Sequence, residues 1–219
     1  MKTEVIAFDV HNTLARFAPE RVSSIEVQDL LARFGVETSY QSLEAARQYV
    51  FFFDTPKREI HGYVDFLALQ FDHMGLRVNL DVIESIAAMY DRRDSMVLFD
   101  DALTAIEMAK AKDLRVVAFT TLPKFMLGRA ADELLPKLDA YFDASATGYA
   151  KGDPRFYASI TQSLAVPPHA IRCIGDNLTG DCLLPQRAGW QPTWLNRRDA
   201  QPSNTFPTVH SLTDFAATF

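Results

Sequence analysis

The chain of 219 residues has only two cysteines, Cys173 and Cys182. They lack metal-ligand spacing and fall in expected core elements, so a reduced, cytoplasmic setting is expected. No apolar run reaches the roughly 18 residues of a membrane span. Residues 1–8 lack the long apolar region of a signal peptide. Net positive charge is also missing, since the formal charge is −6. That argues against a nucleic-acid partner, whose footprint would be basic. It does not argue against a small anionic substrate, because the local field of a site can oppose the net charge. There is no internal repeat, low-complexity segment or Gly/Ser-rich linker. What is abundant is apolar: 48% of the residues, enough for a sizeable core. The length suits one large domain or one domain with an insert.

The stretch Val5-Ile6-Ala7-Phe8-Asp9-Val10-His11-Asn12-Thr13-Leu14 organises the rest. Its short apolar opening reads as a buried parallel strand. Asp9 stands where that strand should end, and in an open parallel sheet ligands sit outside the carboxyl ends of the strands. An Asp that merely caps a turn is the plainer alternative.

Residues 16–94 read as almost entirely helical. Ser23 or Ser24 suits the cap of a helix to Phe34, stopped by Gly35. Further helices are expected over 41–53, 62–74 and, after a cap at Asn79, 80–90. From Phe99 the pattern becomes strand–helix alternation. Asp100 or Asp101 caps a helix to 112, and an apolar run over 115–119 is a strand ending in Thr120-Thr121. Helices follow over 123–135 and 153–164, with a weaker strand over 141–147 between them. A strand over 170–174 ends at Gly175-Asp176, and a short helix starts near Asp181, shortened or kinked by Pro185. A strand over 192–195 and a strand–helix pair over 206–217 close the chain. Alternation of this kind implies an α/β fold with a doubly wound, Rossmann-like parallel sheet. The block over 16–94 is too long for a crossover and reads as an all-helical cap inserted into a core of residues 1–15 and 95–219.

Four strand ends then carry polar residues: Asp9, Thr120, Lys151 and Asp176, with Asp181 shortly after. In a parallel sheet these ends converge on one edge. The set suits phosphoryl transfer with Mg²⁺, which takes oxygen ligands from one or two carboxylates and a phosphate. A carboxylate nucleophile splits the reaction into two easier steps. A hydroxyl and an ammonium can hold the phosphoryl oxygens as charge develops.

The order of these motifs resembles the haloacid dehalogenase-like superfamily with a cap inserted after the first motif. Phe8-Asp9-Val10-His11-Asn12-Thr13-Leu14 is similar to its Asp-x-Asp-x-Thr motif, and Phe119-Thr120-Thr121 to its Ser/Thr motif. Lys151-Gly152-Asp153-Pro154-Arg155-Phe156 resembles its third motif, and Ile174-Gly175-Asp176-Asn177 with Asp181 its acidic fourth. The resemblance covers about two thirds of the chain. It implies a hydrolase with Asp9 as nucleophile. It also implies Mg²⁺ held by Asp9, Asp176 and the backbone carbonyl of His11, with Asp181 supporting the metal or the lysine. Thr120, Thr121, Lys151 and Asn12 would surround a small phosphorylated substrate.

One departure matters. Family phosphatases place Asp two residues after the nucleophile, where this chain has His11. Histidine is a competent acid and base near neutral pH. The swap can instead mean slow turnover, a non-catalytic binding protein, or chemistry on carbon–halogen or carbon–phosphorus bonds. The dehalogenase branch lacks the Asp supplied here by Asp176, and the phosphonate branch needs a cap lysine, for which Lys57 is the one candidate. Asn12 replaces a common Gly and tolerates left-handed geometry. Residues 49–53, rich in aromatics, read as cap core, with a lining for the leaving group as the alternative. Lys57-Arg58 and Arg92-Arg93 are either exposed faces or contacts to an anionic substrate.

Overall fold

The computed structural model describes residues 2–93, 95–198 and 205–219. The chain starts with β1 (Val5–Phe8) and β2 (Ala15–Phe17) and then forms four helices, α1 (Ser24–Arg33), α2 (Tyr40–Tyr49), α3 (Tyr63–His73) and α4 (Leu80–Arg92). It returns through β3 (Met96–Leu98), α5 (Ala102–Lys110), β4 (Arg115–Phe119), α6 (Ala130–Leu134), β5 (Ala140–Phe142) and α7 (Ala144–Thr147). It closes with α8 (Pro154–Leu164), β6 (Ile171–Gly175), α9 (Leu184–Arg187), β7 (Gln191–Leu195), β8 (Thr208–Val209) and α10 (Leu212–Ala216).

Six strands form one parallel sheet in the order β5-β4-β1-β6-β7-β8. β1 lies between β4 and β6, with Ala7 opposite both Val117 and Cys173. All four of its residues are fully buried, which explains an apolar run without alternation. Successive side chains point to opposite faces. Ile6 and Phe8 pack with Ala105 and Ile106 of α5 and Phe215 of α10. Val5 and Ala7 pack with Phe156 and Ile160 of α8. Helices therefore cover both faces, and the strand order switches direction at β1, where open α/β sheets bind ligands.

The helical block has its own core, in which Leu31, Leu43, Leu67, Phe71 and Ile86 are buried together. Ser23, one of the two caps the sequence offers, caps α1 and forms a capping box with Glu26. Asn79 stands at the α4 N-cap but makes no side-chain bond there.

Several elements differ from the sequence reading. Residues 16–17 are not helical: β2 pairs antiparallel with β3, and three-residue strands are too short to show a period. Residue 94, the expected far limit of the helical block, lies outside the described residues. The helix expected to Phe53 changes to a π-helical turn over Val50–Asp54. That expected over 123–135 is broken by Gly128, at φ +57°, between a 3₁₀ turn over Lys124–Leu127 and α6. The weak strand stops at Phe142, because Asp143 accepts from the Ala146 N–H and starts α7 instead. Asp101 is the N-cap residue of α5, yet its carboxylate accepts from Arg197 and from the Leu212 N–H rather than from α5.

Candidate active site

β1 delivers Asp9 to the carboxyl edge of the sheet, where the Asp9 N–H donates to the Ile174 carbonyl across to β6. A tight turn follows. The N–H groups of Thr13, Leu14 and Ala15 all donate to the Val10 carbonyl, and Asn12 takes the left-handed conformation at φ +61°. Asn tolerates that geometry because its short amide can bond locally. Here its side chain hydrogen-bonds to Asp176. Thr120 follows β4; it is buried, and its hydroxyl accepts from the Leu122 N–H. Asp176 follows β6, and its carbonyl accepts from the Trp194 indole at 2.9 Å.

Lys151 does not come directly off a strand. It follows α7 and Gly148, whose left-handed φ of +75° turns the chain back toward the sheet edge. Its ammonium donates to Asp9 Oδ1 and lies 2.5 Å from Asp181 Oδ1, with the Phe119 ring 4.2 Å below. The backbone here is fixed by Tyr157, whose hydroxyl bridges the Lys151 and Gly180 carbonyls at 2.8 and 2.5 Å. Asp181 is not a helix cap. The cap is Asn177, whose Oδ1 accepts from the Thr179 and Gly180 N–H groups, starting a π-helical turn at Leu178. Asp181 sits inside that turn, accepts from the Asn177 N–H and is 1% exposed.

These placements set the electrostatics. Carboxylate oxygens of Asp9, Asp176 and Asp181 lie within 4.8 Å of one another. Burial pushes the Asp9 carboxyl above its usual range, and Asp176 adds to this, while Lys151 opposes it. Burial likewise pushes Asp181 up to about 6 against the pull of Lys151. Asp176 is raised by burial and by Asp181, less the Asn12 hydrogen bond. For Lys151, burial disfavours the ammonium, but Asp181 and Asp9 outweigh it and hold the charge. A carboxylate-only oxygen cluster of this density suits a small hard cation such as Mg²⁺. Asp9, Asp176 and Asp181 are the carboxylates that could hold it.

The His11 ring lies tilted at 50° against Phe17 with centroids 4.4 Å apart, and the Arg21 guanidinium also lies over the Phe17 ring, 4.4 Å from its centroid. Burial and the nearby charges of Arg21, Arg198 and Lys151 all lower the His11 pKa from 6.5, so the imidazole is neutral at neutral pH.

A cavity of about 470 Å³ opens over this edge. Asp9, His11, Thr120, Thr121, Lys151, Asp176 and Asp181 all line it, while Asn12 stands behind Asp176. Its other wall is Arg47, Gln48, Phe51 and Phe52, on α2 and the π-helical turn. The aromatic run therefore divides. Val50 is fully buried, Phe51 is packed on Phe66, and Phe52 and Phe53 are about half exposed. Val50 is core, Phe51 both packs against the core and lines the cavity, and Phe52 lines the cavity. Lys57, Arg58, Arg92 and Arg93 are exposed and line no part of the cavity; Arg93 pairs with Glu26. Three contributors carry no sequence signal: Tyr157, which looks like one more core position of α8; Arg47, one charge among many on a helix; and Arg197, which donates to the Thr13 carbonyl at 3.1 Å.

Comparison with known proteins fits this geometry. Residues 3–189 match the family model described as haloacid dehalogenase-like hydrolase. No curated protein sequence matches the chain. Among solved structures, a 2-haloacid dehalogenase from Pseudomonas syringae pv. Tomato superposes with a TM-score of 0.74 at 18% identity, over 98% of this chain and 97% of that one. A HAD phosphatase from Thermococcus onnurineus gives 0.67 at 18% identity, over 99% and 97%. The HAD-hydrolase YfnB of Bacillus subtilis, bound to magnesium, gives 0.61 at 16% identity, over 100% and 99%. At such identities the likeness is one of fold.

Proposed function

Because the chain belongs to the haloacid dehalogenase-like hydrolases, with a helical block inserted as a cap, we propose that it is a Mg²⁺-dependent phosphatase of a small phosphomonoester. The observation that carries this reading is Asp176. It brings a third carboxylate to within 4.8 Å of Asp9 and Asp181. A site that displaces halide from carbon with an aspartate alone has no use for that negative charge, whereas a cation-assisted phosphoryl transfer does.

In this reading Asp9 attacks phosphorus and forms an aspartyl-phosphate, which water then cleaves. Bound Mg²⁺ would neutralise charge on the phosphoryl oxygens and on Asp9. Lys151 and the Thr120 hydroxyl stabilise the transferring group as its charge develops. Lys151 is held ready for this, because its charge is fixed by two buried carboxylates. Thr121 lines the phosphoryl end of the cavity, while Asn12 acts through its hydrogen bond to Asp176. The neutral imidazole of His11 is a base for the hydrolytic water, and the proton it gains returns to the next leaving oxygen. An imidazole with a lowered pKa is a weak proton donor to a poor leaving group. Turnover therefore favours substrates whose leaving oxygen needs little protonation.

The rival with a cap-lysine Schiff base loses support, since Lys57 is outside the cavity. The test is phosphate release from a panel of phosphomonoesters, with Mg²⁺ and with chelator. Release is expected only with Mg²⁺ and is expected to vanish in Asp9→Asn. Unchanged release in that variant, or halide release from 2-haloacids without metal, would overturn the proposal.

A further inference from the structure

We infer that Arg47 reads a second acidic group on the substrate, so that the preferred substrate is a phosphorylated carboxylic acid with a short apolar body. This rests on the phosphatase reading of the same cavity. The cavity has two ends of opposite character. At the sheet edge, Lys151 is committed to Asp9 and Asp181. Across from it, Arg47 is the one other Lys or Arg side chain lining the space among the described residues.

The guanidinium of Arg47 is pre-set. Nη2 donates to Glu44 Oε2, and the other Glu44 oxygen accepts from the Ser24 hydroxyl on α1, which fixes the direction of the planar group. Nε is buried and has no hydrogen-bond partner. Nε itself is closed off, so a ligand meets the exposed remainder of the side chain, 23% of its surface, and a planar guanidinium fixed on one side is what a carboxylate matches. Glu44 already offsets part of the positive charge, so a singly charged carboxylate suits this end better than a second phosphate.

The helix places the rest. Arg47 and Phe51 are four residues apart, as are Gln48 and Phe52, so all four share one face of α2 and the π-helical turn. Gln48 adds an amide donor beside Arg47. Between the two charged ends the lining is Phe17, Phe51, Phe52, Leu122 and Leu184. A ring or short hydrocarbon fills such a gap, and about 470 Å³ limits the ligand to a small molecule.

The experiment titrates phenylphosphonate and 4-carboxyphenylphosphonate by calorimetry with Mg²⁺ into the parent chain, Arg47→Met and Arg47→Lys. The carboxyl group is expected to raise affinity for the parent about tenfold or more. Arg47→Met should lose that gain while binding phenylphosphonate as the parent does, and Arg47→Lys should keep part of it. Equal affinities in the parent, a gain that survives in Arg47→Met, or binding of neither compound would overturn the inference. Phosphate release from phenyl phosphate separates the two ideas. Release without a carboxyl preference sinks Arg47 alone, and carboxyl-dependent binding without release sinks the phosphatase reading alone.

Discussion

Gly175 and Asp181 stand so close that a methyl group on Gly175 would lie 2.2 Å from Asp181 Oδ2. The glycine is needed for space, since its backbone is not left-handed. Asp181 cannot retreat, being 1% exposed and held by the Asn177 N–H and Lys151. Gly175→Ala is therefore expected to destabilise the fold by about 1–3 kcal/mol. It should also lower phosphate release by pushing Asp181 against Lys151. Urea unfolding together with the release assay checks both; an alanine variant of parental stability would show that Asp181 can move.

Lys151 is the single ammonium between two buried carboxylates. Lys151→Met removes the strongest of the partners that hold their pKa values down, so both would rise further. A carboxyl whose folded pKa exceeds its unfolded value destabilises the fold as pH rises through that folded pKa. The variant should lose about 3–5 kcal/mol near pH 8 and recover as the pH falls toward the carboxylate range. Melting temperature against pH reads this directly, and a loss independent of pH would point to packing instead.

His11 predicts the shape of the pH profile. Burial and the cations around it favour the neutral ring, and a base works in its neutral form. The acid limb of kcat/KM should therefore have its midpoint below 6.5. In His11→Asn the limb should vanish, with a loss of about 100- to 10,000-fold. A limb retained in that variant would move the base role to another group.

Much of the sheet was legible because buried parallel strands write themselves as short apolar runs, as β1 and β4 do, and because polar residues at their carboxyl ends share one edge by topology. Asn12 was legible for a local reason, the left-handed turn. Lys151 reaches the same edge, but through α7 and Gly148 rather than from a strand, and the Asp143 cap that diverts the chain looks like any loop aspartate. Tyr157 and Arg197 were not legible, because their partners lie 6 to 184 positions away, and Arg47 was not because its pairing with Glu44 looks like any i, i+3 pair on a helix. The division of residues 49–53 depended on a π-helical turn, which has no sequence period of its own.

The two strands that join the helical block to the sheet pair with each other, Ala15 opposite Leu98 and Phe17 opposite Met96. Paired residues across antiparallel strands sit about 5 Å apart, so the insertion leaves and re-enters the fold at one point. To the sheet it is only a decorated hairpin: the register of β1 against β4 carries no record of what lies between them. Closing a loop costs free energy that grows only with the logarithm of its length. The same scaffold can therefore accept a longer, shorter or wholly different insert at this junction, and a change of the block would change what surrounds Asp9 and Lys151 while leaving both in place.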